Sequence, residues 1–199
     1  RDISRTGVIG GGTMGAGIAT AMVLAGLHVT LVERDDAAAE RARDTIARNL
    51  ASAVKRGKLT EAGRDAMLAD ALATVVGYVA LSDADLVVEA VFENMDVKTE
   101  VFAELDRVCK PGAVLATNTS YLDVNRIAQA TKRPADVIGL HYFSPAHVMK
   151  LLEIVVADAT ATDVTATAFA LAKRLGKIGV RAGVCDGFIG NRILSHYRT

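Results

Sequence analysis

The sequence predicts an α/β domain: a doubly wound, mostly parallel sheet with helices on both faces. Three observations carry that prediction. Short apolar runs alternate with longer segments of helical period along the chain, the pattern of repeated strand–helix units. The run DLVVEAV (85–91) is apolar almost without interruption, as suits a parallel strand covered on both faces. A glycine-rich turn, GGGTMG (10–15), joins the first apolar run to the first helical segment, where open sheets of this kind place a ligand.

Taken in order, TGVIG (6–10) is the first strand. Met14, Ile18, Met22 and Ala25 then share one face of a helix over 13–26, with Gly26 as its stop. HVTLVE (28–33) is a second buried strand. An Ala/Arg-rich helix over 36–57 is interrupted at Gly57, and a second helix, about 60–71, starts at Thr60 with a polar first turn. LATVV (72–76) is a short strand. After the strand at 85–91, Val97, Val101, Phe102, Leu105 and Val108 form the inward stripe of a helix over 95–109. PGAVLATN (111–118) is a turn and a strand, and DVIGLHYF (136–143) and LLEIVV (151–156) are two more strands. A helix over 162–175 ends at Gly176, and IGVRA (178–182) is the last strand. From Phe188 onward, Phe188, Ile189, Ile193, Leu194 and Tyr197 recur at helical spacing with no stop signal. With Arg1 rather than Met at the start, the chain is expected to be a piece of a longer protein. Its domain would run over 1–184, and 185–199 would be the truncated start of a helical C-terminal domain.

The 199 residues suit one domain of ordinary size, able to build a core without a disulfide or metal staple. Lys+Arg and Asp+Glu number 23 each, a formal net charge of +0, which argues against nucleic acid or an anionic membrane as the partner. The 51% hydrophobic content argues against disorder. No apolar run reaches the ~18–20 residues of a membrane span, and no basic-then-apolar leader is present. Cys109 and Cys185 stand alone, with no CxxC and no Cys/His cluster. That predicts two inert thiols, no metal site and a reducing, cytoplasmic compartment.

Within GGGTMG, Gly10, Gly12 and Gly15 form G-x-G-x-x-G between a strand and a helix, the context that a Rossmann-type dinucleotide site requires. Gly10 serves the tight turn, Gly12 the approach of a pyrophosphate, and Gly15 the packing of helix on strand. The helix N-terminus, with Thr13 and Met14 in its first turn, offers unpaired N–H groups to that anion. Glu33 closes the second strand 18 residues after Gly15, placed to bind adenosine ribose hydroxyls and to repel a 2′-phosphate. This favours NAD over NADP, while the neighbouring Arg34 pulls the other way. At this level FAD also fits.

Polar residues cluster just after later strands: Asn118, Thr119 and Ser120, then His141, and Asn191 after a glycine-rich turn, with Glu153 inside an apolar run. A His with a carboxylate partner suits proton transfer to or from an alcohol oxygen. Singly, each has a plainer reading, as a structural histidine, a turn or helix cap, or a solvent-facing strand residue.

The segments GVIGGGTMGAGIA (7–19), DLVVEAVFENMDVK (85–98), ATNTSYLD (116–123), IGLHYFSPAHVMKLLEIV (138–155) and CDGFIGNRIL (185–194) together resemble 3-hydroxyacyl-CoA dehydrogenase over almost the whole chain. The likeness is greatest to the dehydrogenase part of multifunctional fatty-acid oxidation enzymes. It implies His141 as catalytic base, Glu153 as its partner, and Ser120 and Asn191 as substrate-binding groups. It places Glu33 on the adenosine ribose and Glu93, Lys98 and Asn118 along the nicotinamide half of NAD. It also implies a 3-hydroxyacyl-CoA substrate, a helical domain after this one, an enoyl-CoA hydratase domain before it, and a possible homo-oligomer. The present stretch alone would then bind NAD but turn over poorly. Ser144 departs from the Asn of many single-function members. Lys55 and Lys58 resemble a basic stretch that meets the CoA nucleotide, or form a solvated charge run. Two alternatives follow from the same residues: another NAD(P)-linked hydroxyacid oxidoreductase, and a non-catalytic NAD-binding module.

Overall fold

The computed structural model describes residues 1–198; Thr199, the last residue of the expected 185–199 segment, lies outside them. Eight strands form one sheet: β1 (Arg5–Ile9), β2 (His28–Glu33), β3 (Leu72–Val76), β4 (Leu86–Glu89), β5 (Val114–Thr117), β6 (Val137–Tyr142), β7 (Leu151–Val156) and β8 (Ile178–Gly183). Their order across the sheet is β3-β2-β1-β4-β5-β6-β7-β8. Every pairing is parallel except β6 with β7, which is antiparallel. The order reverses at β1, so the ends of β1 and β4 form the switch point where such sheets bind ligands. The helices are α1 (Thr13–Leu24), α2 (Asp36–Lys55), α3 (Glu61–Ala66), α4 (Met95–Val108), α5 (Val124–Ala128), α6 (Thr162–Arg174) and α7 (Gly190–Tyr197).

Alternation along the strands divides the core in two. Val8, Leu31, Val88, Ala116, Leu140 and Ile154 face α1, α2 and α6, meeting Ile18, Met22, Ile46, Leu50 and Leu171. Ile9, Val32, Val87, Leu115 and Val155 face the other way, onto Phe102 and Leu105 of α4 and Ile127 of α5. By the same alternation Glu89, Thr117, His141 and Glu153 belong to the α4–α5 face.

The expected helix over 60–71 is α3 followed by a wide π turn, Met67–Ala71. There the Arg43 guanidinium donates to the carbonyls of Leu68 and Leu72, tying the turn to α2. The last helix starts at Gly190, not near Phe188, because Phe188 has φ +48, outside the helical region. α5 had no apolar period long enough to announce it; Asp123 caps it through Asn125 N–H. Of the two thiols expected to be inert, Cys109 is buried in the core and Cys185 is exposed.

Candidate active site

The glycine turn is built from main chain. Gly10 has φ +90, and its N–H reaches Val32 O at 3.0 Å. A Cβ on Gly15 would lie 1.7 Å from Gly10 O, so α1 can approach the turn only without one. A Cβ on Gly12 would meet nothing within 4 Å, so the space before the uncapped start of α1 is open. Glu33 Oε1 accepts Gly11 N–H at 2.6 Å and Oε2 accepts Arg34 N–H at 3.0 Å, so the carboxylate is fixed beside the turn. The Arg34 side chain turns away to Asp35. Gly10, Gly12, Glu33 and Arg34 share the wall of one 650 Å³ cleft with Val76, Tyr78 and Phe92. Open main-chain donors at a helix start, with a fixed carboxylate nearby, fit the pyrophosphate and ribose of NAD. Thr13 is exposed and Met14 half-buried at that helix start.

Next along the sheet, Glu89 at the end of β4 is fully buried. Its Oε1 accepts from Lys98 Nζ at 2.6 Å and Val91 N–H at 2.7 Å, and its Oε2 from Thr117 Oγ1 at 2.7 Å. Lys98 is thus turned inward, and it meets the cleft through Glu93, 3.8 Å away. Glu93 accepts from Thr119 Oγ1 at 2.5 Å and Ser120 N–H at 2.7 Å, which fixes the half-buried Ser120. Asn118 Oδ1 accepts Tyr142 N–H at 2.9 Å and ties this loop to β6.

On β6, His141 stands directly opposite Glu153 in the antiparallel register. Their side chains are 5% and 1% exposed, and Nδ1 lies 2.9 Å from Oε2. Nδ1 donates to the carboxylate, which leaves Nε2 with a lone pair; that atom makes no hydrogen bond among the described residues. The imidazole is packed between Phe143 and Phe188, at centroid distances of 4.5 Å and 5.7 Å. Glu153 Oε1 accepts Gly190 N–H at 2.6 Å, so α7 begins at the pair, with Asn191 its second residue.

The structure therefore brings the sequence-derived residues into three groups: the glycine turn with Glu33, Glu93 with Lys98 and Ser120, and His141 with Glu153; Asn191 follows Gly190 in the chain but lines a separate cleft with Tyr121, Asp186 and Arg192. Sequence reasoning missed Glu89, Phe143, Phe188 and Gly190. Glu89 had a signal, a lone acid in an apolar strand nine residues before a lysine. The other three had none, since turn geometry brings them in. Among the described residues no group of His, Cys, Asp and Glu is placed to hold a metal, and no helix is long and apolar enough to cross a membrane.

A doubly wound sheet with this turn, this carboxylate and a His–Glu pair at a nearby strand end defines the dinucleotide-binding domain of an oxidoreductase class. Residues 5–185 match the model of the 3-hydroxyacyl-CoA dehydrogenase NAD binding domain, and the chain belongs to that family. Among curated proteins it is 44% identical to the peroxisomal bifunctional enzyme of Danio rerio, over 99% of this chain and 27% of that protein. The chain thus spans about a quarter of that relative's length. Among solved structures, FadB2 of M. tuberculosis is 42% identical with a TM-score of 0.93, covering 99% of this chain and 70% of that one. The 3-hydroxybutyryl-CoA dehydrogenase of Escherichia coli is also 42% identical, with a TM-score of 0.91 over 97% of this chain and 41% of that one.

Proposed function

We propose that this domain serves the NAD-dependent oxidation of (3S)-3-hydroxyacyl-CoA to 3-ketoacyl-CoA in fatty-acid β-oxidation. The observation that carries the reading is the buried His141–Glu153 pair with its free Nε2. That nitrogen takes the 3-hydroxyl proton, and Glu153 orients the ring and stabilises the imidazolium that forms. Ser120 and Asn191 hydrogen-bond the reacting oxygens. Gly10, Gly12, Gly15 and the first turn at Thr13 and Met14 hold the pyrophosphate. Glu33 holds the adenosine ribose with Arg34 at its rim, and Glu93, Lys98 and Asn118 shape the nicotinamide end. When bound, NAD supplies the hydride acceptor for C3. Phe143 and Phe188 pack against the His141 ring and restrict its rotation.

The domain reading, a nucleotide domain over 1–184 with 185–199 opening a helical domain, is supported by a family match that ends at 185. A further domain in the same chain, read here as a hydratase domain from the resemblance, is supported by a relative named bifunctional of which this chain covers 27%. That name also says peroxisomal, so the lone cysteines support a reducing compartment without making the cytoplasm the only candidate. The test is NADH oxidation with acetoacetyl-CoA, set against small keto acids and against NADPH. Activity confined to the thioester with NADH is expected. Equal or tighter NADPH binding would remove Glu33 from its role and promote Arg34, and turnover of the small keto acids alone would replace the substrate class.

A further inference from the structure

Glu153 is engaged on both oxygens, and only one of them serves His141. The other accepts Gly190 N–H at 2.6 Å, and three features of the preceding turn converge on that contact. First, Gly187 and Phe188 both have positive φ, +68 and +48. For a phenylalanine this conformation costs on the order of 1–2 kcal/mol. The strained residue is 1% exposed, with its ring against His141. Second, a Cβ at position 190 would stand 3.0 Å from Phe143 Cζ and 3.2 Å from Glu153 Oε1, wedged into the contact. Third, Gly190 is the first residue of α7, whose leading N–H groups have no partner within the helix, and Ile189 offers no capping side chain.

We infer that the Gly190 main-chain N–H, aimed by the left-handed turn at Phe188, is a positioning group of the proton-transfer unit. It fixes the rotation of the Glu153 carboxylate, and so aims the oxygen that accepts from Nδ1–H and sets the direction in which Nε2 is open. The inference rests on the acid–base role proposed above for the pair. It also makes the placement of α7 a condition of that orientation, through one hydrogen bond.

The consequence shows at position 153. In Glu153→Gln, the amide carbonyl must face Gly190 N–H, so the NH₂ faces His141 Nδ1. Nδ1 then accepts, and the proton sits on Nε2, where the substrate's proton should go. Without the Gly190 N–H, the amide is free to turn round and accept from Nδ1–H. Gly190→Pro removes that N–H; its Cβ meets Phe143 Cζ and Glu153 Oε1 and its ring disfavours the helical backbone of Ile189, so NADH affinity must show that the variant folds.

The experiment measures acetoacetyl-CoA turnover with NADH in the full chain for the parent, Glu153→Gln, Gly190→Pro and the double variant. NADH affinity reports folding, and ¹⁵N NMR of the His141 ring gives the tautomer in the parent and in Glu153→Gln. The double variant should turn over at least ~10-fold faster than Glu153→Gln, a reversal of sign that packing alone does not give. The ring should be Nδ1–H in the parent and Nε2–H in Glu153→Gln. A double variant that binds NADH but is no faster than Glu153→Gln, or an Nδ1–H ring in Glu153→Gln, overturns the inference. If proline at 190 abolishes NADH binding, the tautomer in Glu153→Gln decides alone. A parent that binds NADH yet never turns over acetoacetyl-CoA overturns the acid–base reading instead, and the tautomer still judges the hydrogen bond.

Discussion

Glu89–Lys98 and His141–Glu153 are buried acid–base pairs on the same face of the sheet, closed at 2.6 Å and 2.9 Å. In the first, every strong group is used: the carboxylate takes three donors, and the ammonium is shared among Glu89, the Val91 carbonyl and, more distantly, Glu93. In the second, the carboxylate is saturated by Nδ1 and Gly190, but the histidine keeps one nitrogen unpaired. The ingredients are alike and the completion is not. A pair with all its valences filled braces strand ends and loops; a pair with one left open can move a proton.

The sharpest way to break this contrast is to damage the open pair. His141→Gln and Glu153→Gln should each lower kcat by about 1,000-fold or more, ~4 kcal/mol of barrier, with thermal stability and NADH affinity near parental. Steady-state kinetics beside NADH titration checks it, and parallel losses of affinity and turnover would make the pair structural. Damage to the closed pair should read out as stability. Lys98→Met leaves Glu89 buried with an uncompensated charge, and unfolding should become easier by about 3 kcal/mol in a denaturant titration. Adding Glu89→Gln should recover part of that loss, because the stranded charge is gone.

A third carboxylate, at the opposite end of the strands, sharpens the comparison with a smaller effect. Burial would raise the Asp85 carboxyl, but the Arg5 N–H, the Lys110 ammonium and the Ser4 N–H outweigh it and hold the group at about 2. Its folded value lies below the ordinary one, so its contribution is full above pH ~4 and is lost as pH falls through that value. Asp85→Asn should cost about 2 kcal/mol at pH 7 and much less at pH 2, a difference visible in melting curves at the two pH values. The smallest effect concerns the thiols. Burial pushes Cys109 up to about 11, so a thiol reagent should titrate Cys185 alone in the native protein and both after denaturation.

The alternation of strands and helices, the glycine turn and Glu33 were legible because they depend on local chemistry, a few residues in sequence setting one element or one turn. His141 and Glu153 were legible as a candidate pair by residue type, and the resemblance gave them their roles, but their contact comes from an antiparallel register that neither segment encodes alone. Glu89 was hidden inside a run that reads as apolar strand. Phe188 was misread as helical because its periodicity matched, while its backbone is left-handed. Gly190 acts through its N–H, and main-chain groups leave no trace in a pattern of side chains.

The antiparallel pairing of β6 and β7 carries a lesson for mutational history and for design. His141 and Glu153 face each other because two buried strands share a register, not because of the residues at 144–150, beyond Phe143, that join them. That connection answers to other neighbours: Lys177 grips the carbonyls of Ala146 and Met149, and Gly17 lets α1 come up against Ala146. Descendants of this chain can therefore rewrite the loop while the two catalytic candidates stay in line. An engineer transplanting the pair to another scaffold needs two matched strands and one N–H for the far oxygen, and can leave the hairpin's own sequence behind.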